Sequence, residues 1–184
     1  MNILIKNARA LVFEGGKTAV KKADIAVEAG KIAQIGEIST DFYAQKIIDA
    51  KNMLAMPGLI NAHTHLSMNL FRNYADDMPL WDWLTKKIWP LEERLTAEAV
   101  YRGSILGIAE LIKSGVTGFL DMYFFAEETI KAALETGVRA YIARGLADEE
   151  EGKEIHLQET EKLYKEYHQP AGRVKIFAGP HAPY

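Results

Sequence analysis

His63 and His65 are the residues of this sequence best placed to hold a metal ion. They close the run Pro57-Gly58-Leu59-Ile60-Asn61-Ala62-His63-Thr64-His65, in which Leu59 and Ile60 open an extended segment after a Pro-Gly break. Side chains at i and i+2 of a strand share a face, so the two imidazoles project together. Neutral imidazole is a good zinc ligand, and two on one face supply half of a tetrahedral shell. A bare His-x-His pair also occurs as two unrelated polar residues at a strand end; the Pro-Gly break and the apolar step before the pair favour the metal. A zinc ion held there would bring the pKa of its water down to about 7 and supply hydroxide at neutral pH. The chain has no cysteine, which excludes thiolate ligands and disulfides.

Such a pair needs a scaffold. After Met56-Pro57-Gly58, strands alternate with helix-length segments, the pattern of βα units around a parallel sheet. Strands are expected over residues 59–65, 116–122, 138–145 and 174–179, and helices over about 96–114 and 127–136. Thr96 is a plausible N-cap, with Glu98 in the first turn. Val100, Leu106 or Gly107, Ile108, Leu111 and Ile112 form that helix's apolar stripe, and Gly115 ends it. A long loop rich in Trp and Asp separates the first strand from this helix. An acidic stretch, Asp148 to Gly152, leads into a third helix ending near His168.

Four such strands are half of the eight in a (β/α)₈ barrel, and 184 residues fall short of the roughly 250 it needs. Ahead of them, Ile3-Leu4-Ile5, Ala10 to Phe13, Asp24 to Glu28, Ile32 to Gly36 and Lys46 to Asp49 read as short strands of a small antiparallel module. The expected architecture is α/β. Residues 57–184 form the first half, about four βα units, of a TIM-type barrel, preceded over residues 1–56 by part of a small β-sandwich domain. His63 and His65 then sit at the C-terminal end of the first barrel strand, where barrel enzymes place their chemistry.

Composition narrows the partners. Hydrophobic residues make up 48% and charged residues 26%, a globular profile. The net charge is −3, with 22 basic and 25 acidic residues well mixed, so no basic stripe suggests nucleic acid. No apolar run reaches the length of a membrane span, and the start lacks the marks of a signal peptide. With the absence of cysteine, this favours the cytoplasm.

Residues 56–65 resemble the first-strand signature of the amidohydrolase superfamily. The continuation Leu66-Ser67-Met68-Asn69-Leu70-Phe71-Arg72-Asn73-Tyr74-Ala75-Asp76-Asp77, with Leu80-Trp81-Asp82-Trp83-Leu84, is similar to the branch of 5-methylthioadenosine/S-adenosylhomocysteine deaminases. Guanine deaminases and triazine chlorohydrolases are neighbours of that branch. Gly115 to Met122 and Gly179-Pro180-His181-Ala182-Pro183-Tyr184 agree with it. The resemblance implies one zinc ion per complete site, with His63 and His65 as its first two ligands. It implies a purine nucleoside derivative as substrate, with water adding at the amino-bearing ring carbon.

It further implies three substrate contacts. Glu92 matches a carboxylate that accepts from ribose hydroxyls, with Glu93 as the competing position; a solvated residue at a helix start is the plainer reading. His181 matches a substrate-contacting histidine. Arg144 resembles a substrate-side arginine, although a buried arginine in an apolar strand needs a polar partner and that partner could be structural. The remaining zinc ligands and the catalytic acid and base belong to strands five to eight, so no catalytic residue is assigned here. Relatives with two metals place a bridging lysine at the end of the fourth strand; here that end carries His181, and Lys175 lies at its beginning, which favours a single metal.

Other candidates carry plainer readings. His156 belongs to a surface helix with Leu157, Tyr164 and Tyr167 at apolar spacing, and His168 to a helix end. Trp81, Trp83 and Trp89 are core or a pocket wall, and Asp121 is an exposed acidic cap or a functional end-of-strand residue. A guanine deaminase or triazine hydrolase remains an alternative, as does a non-catalytic half-barrel binding module. A half barrel alone is expected to show no deaminase turnover and to self-associate through its open edges.

Overall fold

The computed structural model describes residues 1–147, 153–169 and 172–182. The expected acidic stretch 148–152 and the last two residues of the Gly179–Tyr184 segment lie outside them. Two compact units divide the chain, Met1–Pro57 and Gly58–Tyr184.

The first unit is a five-stranded sheet: β1 (Ile3–Glu14), β2 (Lys17–Glu28), β3 (Lys31–Gly36), β4 (Lys46–Asp49) and β5 (Leu54–Ala55). The sheet is mixed, not the antiparallel module expected. β1 pairs antiparallel with β2 but parallel with β4 and β5. The two strands expected over 3–5 and 10–13 are one strand, whose register with β2 shifts between Ile5 and Ala8. Asn7 causes that reading of two: it sits at φ 62°, a left-handed conformation that asparagine tolerates, with its N–H donating to Asp24 Oδ1 at 2.7 Å.

The second unit contains β6 (Leu59–Thr64), β7 (Val116–Met122), β8 (Arg139–Ala147) and β9 (Val174–Ala182) as one parallel sheet in that order. Helices α3 (Ala97–Lys113), α4 (Ala126–Thr136) and α5 (Lys153–Tyr167) connect successive strands, as βα units of a barrel do. Between β6 and α3, the expected loop is largely helical. It holds a 3₁₀ turn (Leu66–Phe71), α1 (Leu80–Trp83), a π turn (Leu84–Ile88) and α2 (Trp89–Glu92).

Local chemistry sets the boundaries. The Thr96 hydroxyl accepts from the Ala99 N–H at 3.2 Å and caps α3. Gly137, at φ 77°, ends α4 in the left-handed conformation, with its N–H bonded to the Ala133 carbonyl. On α3, Gly107 rather than Leu106 faces inward, beside buried Val100 and Ile108, while Ile112 is exposed. On α5, buried Thr160 and Leu163 form the inner stripe with Tyr167 packed against the core, while Leu157 and Tyr164, also expected on the apolar face, point out.

The core lies between the sheet and its helices. Phe119, Ala140, Ile142, Val174 and Ile176 pack there against Ile108, Ile130, Ala133 and Leu163. The opposite face of the sheet is uncovered: Leu120 and Phe177, one residue out of step with the core positions, are 36% and 45% exposed.

A pair of imidazoles and the strand end that holds them

Thr64 pairs with Asp121, which is buried on the helix-covered side. The register of β6 with β7 shifts between Asn61 and Thr64, and His63 and His65 lie at this irregular C-terminal end of the strand. Their ring centroids are 5.2 Å apart at 78°. Two imidazoles on one tetrahedral ion, with metal–nitrogen bonds of about 2.0–2.1 Å, bring their ring centres to about 5 Å. The pair therefore fits two ligands of one ion. Among the described residues, no group of three or more His, Cys, Asp or Glu is placed to hold a metal.

Residues 121–123, at the end of β7, hold this arrangement in place. The Met122 carbonyl lies 2.7 Å from His65 Nδ1. A carbonyl only accepts, so His65 Nδ1 carries a proton and donates it to that oxygen. Asp121 Oδ1 accepts the N–H of Leu66 at 2.6 Å and fixes the chain immediately after His65. Asp121 is only 1% exposed, so it is not the exposed cap of one sequence reading. Burial pushes its carboxyl up to about 7, against the opposing pull of the Leu66 N–H.

The third residue of that strand end is not among the candidates that motif or spacing picks out. Tyr123 is buried, its ring lies 6.0 Å from the His65 ring, and its hydroxyl donates to Glu92 Oε1 at 2.7 Å. Burial and the neighbouring Glu92 carboxylate raise its pKa. Between the two candidate carboxylates, Glu92 is half-buried and faces this hydroxyl, whereas Glu93 is exposed. Only the aromatic run Tyr123-Phe124-Phe125 directly after a strand could have signalled such a role.

The other expected contacts sit differently. Arg144 pairs in register with Ala178 and lies two residues beyond core Ile142, on the helix-covered side. Its Nε donates to Glu159 Oε2 and its Nη2 to His156 Nε2, both at 2.8 Å, and its guanidinium lies 5.1 Å from the Phe124 ring centre. The structural partner that the sequence left open thus exists. His156 is correspondingly a half-buried partner of Arg144 and not a surface residue. His181 is exposed within the last residues of β9; Pro180 to Ala182 continue the strand and do not turn after it. His168 Nδ1 lies near the Ile176 backbone, and Lys175 beside the Tyr141 ring. Trp81 and Trp89 are exposed, so neither is core, and Trp83 Nε1 donates to the Ala75 carbonyl.

Known proteins share this architecture and sequence. The model of the Amidohydrolase family matches residues 54–184. A 5-methylthioadenosine/S-adenosylhomocysteine deaminase of Caldanaerobacter subterraneus subsp. tengcongensis is 53% identical over 187 residues, covering 100% of this chain and 43% of that protein. A 5'-deoxyadenosine deaminase of Methanosarcina mazei is 48% identical over 185 residues, covering 99% of this chain and 43% of that protein. The solved structure of an adenosine deaminase from Xanthomonas campestris with bound zinc aligns with a TM-score of 0.87 at 29% identity, over 99% of this chain and 43% of that one. The chain thus spans less than half the length of the curated relatives it matches.

Proposed function

The chain belongs to the amidohydrolase family, and from that premise we propose that it contributes one side of a zinc-dependent site for hydrolytic deamination of adenosine derivatives. The substrate class is that of 5-methylthioadenosine and S-adenosylhomocysteine. The observation that carries this reading is the imidazole pair, 5.2 Å between ring centres, with His65 oriented by the Met122 carbonyl. The names of the relatives supply the substrate class, and the zinc of the Xanthomonas protein supplies the metal.

In this reading His63 and His65 would hold a single zinc ion, which when bound would supply a water acidic enough to add at neutral pH. Glu92, already held by Tyr123, accepts hydrogen bonds from the ribose hydroxyls. It would thereby orient the ring carbon bearing the amino group for addition of water. Arg144, steadied by α5, and His181 contribute to the substrate side. Overall, water adds to that carbon, the carbon–nitrogen bond breaks and ammonia departs, leaving the oxo-purine. The proton given to ammonia comes from groups beyond these residues. A ribose-contacting carboxylate favours a nucleoside over the free base or triazine of the neighbouring activities.

The test is product release by the whole zinc-loaded protein: ammonia from 5'-methylthioadenosine and from guanine, and chloride from a chlorotriazine. Turnover of the nucleoside well above the other two is expected. Preference for guanine or the triazine would overturn the substrate assignment.

A further inference from the structure

We propose that Tyr123 is a positioning residue that sets the ribose specificity of the site by holding Glu92 in its accepting geometry. The inference rests on the reading of Glu92 as the acceptor for ribose hydroxyls. Its own evidence is a contact that neither family motif nor spacing anticipates. Tyr123 lies 31 residues from Glu92 in sequence, yet its hydroxyl donates to Oε1 at 2.7 Å. The donor is rigid. The ring is 5% exposed, packs edge-on against Phe124 at 5.2 Å, and leans over the His65 ring at 6.0 Å.

A glutamate at the end of a short helix has several rotamers, and only some of them present a carboxylate to a ligand. A buried hydroxyl on one oxygen removes most of that freedom and leaves Oε2 as the oxygen to meet a diol. The adjacent Met122 carbonyl fixes the tautomer of His65. Two consecutive residues thus set the distance between the ribose acceptor and the metal ligand, which is the distance between sugar and reacting ring carbon. Without the hydroxyl, Glu92 keeps its charge but loses its pre-set direction. The cost falls on binding of substrates that carry the diol.

The experiment uses the whole zinc-loaded enzyme with 5'-methylthioadenosine and its 2',3'-dideoxy analogue, comparing the parent protein, Y123F, E92Q and the double variant. Expected for Y123F is a KM for the diol substrate raised about tenfold, from the loss of a hydrogen bond to a charged group. Its kcat stays within about twofold, and both constants for the dideoxy analogue stay within about twofold. E92Q should likewise raise KM for the diol substrate and spare the dideoxy analogue, and the double variant should do no worse than E92Q alone. If E92Q impairs the diol substrate selectively but Y123F does not, or Y123F impairs both substrates equally, the positioning role is refuted while the ribose reading stands. If E92Q itself shows no selective effect on the diol substrate, the ribose reading falls and the inference with it. Should Y123F be misfolded, Y123H, which can place a ring N–H toward Glu92, is expected to keep KM for the diol substrate near the parent's; a KM raised equally for both substrates in a variant with a native melting curve would refute the role.

Discussion

Replacing Asp121 by asparagine should make the metal-free protein more stable at neutral pH and remove most of its pH dependence between pH 4 and 7. The native carboxyl sits at about 7 against an ordinary 3.8, chiefly through burial. A native pKa above the unfolded one means that the folded state holds the proton more tightly. Stability is therefore greatest below about pH 4 and falls as pH rises through the interval, levelling off above about 7. Three pH units at about 1.4 kcal/mol each amount to about 4 kcal/mol. Asparagine keeps an oxygen to accept the Leu66 N–H but never ionises. The native value of about 7 already includes the pull of that N–H, so D121N, nearly equal to the parent at pH 4, should be about 4 kcal/mol more stable at pH 8. At pH 4 the two proteins should be nearly equal, since the parent's carboxyl is then protonated. Urea unfolding of both proteins in EDTA, followed by far-UV circular dichroism at pH 4, 6 and 8, measures this directly. Parallel stability curves across that range, or a less stable D121N at pH 8, would refute the assignment of a buried, reluctant carboxylate.

Two further outcomes follow from packing and pairing. A β-carbon at Gly107 would meet the Leu66 side chain at 2.6 Å and its carbonyl oxygen at 3.0 Å, so G107A should cost about 1–3 kcal/mol in denaturant unfolding. It should also weaken zinc binding, because the displaced residue directly follows His65; an unchanged midpoint would show that the 3₁₀ turn yields freely. E159Q removes one partner of an arginine side chain that is 13% exposed, but Glu159 is itself 49% exposed. The loss should be about 1 kcal/mol or less by thermal melting, accompanied by a several-fold rise in KM for the nucleoside with kcat little altered; an unchanged KM would leave the ion pair structural only.

The barrel half of the fold is legible because its signals are local. The strand over 116–122 follows from an apolar run between Gly115 and the next helix, and α3 from its threonine cap and its closing glycine. The His-x-His pair is legible because a two-residue period fixes a shared face regardless of the rest of the chain. What escapes is carried by distant contacts or by departures from regular backbone. The left-handed Asn7 makes one long strand look like two, and parallel pairing of β4 with β1 leaves no mark on either strand alone. His156 looks like a surface residue until Arg144, twelve residues earlier, is known to turn toward α5. Tyr123 and Glu92 come together only because β7 ends beneath a helical segment that composition suggested was a loop.

The central claim is that His63 and His65 grip one divalent ion, His65 through Nε2 with its Nδ1 proton kept on the Met122 carbonyl. Imidazole ¹⁵N spectra during zinc titration of the protein report on each ring nitrogen. His65 Nε2 and one nitrogen of His63 are expected to shift together with a common zinc dependence, while His65 Nδ1 stays protonated. Independent responses of the two rings, or a metal-induced loss of the Nδ1 proton, would contradict it.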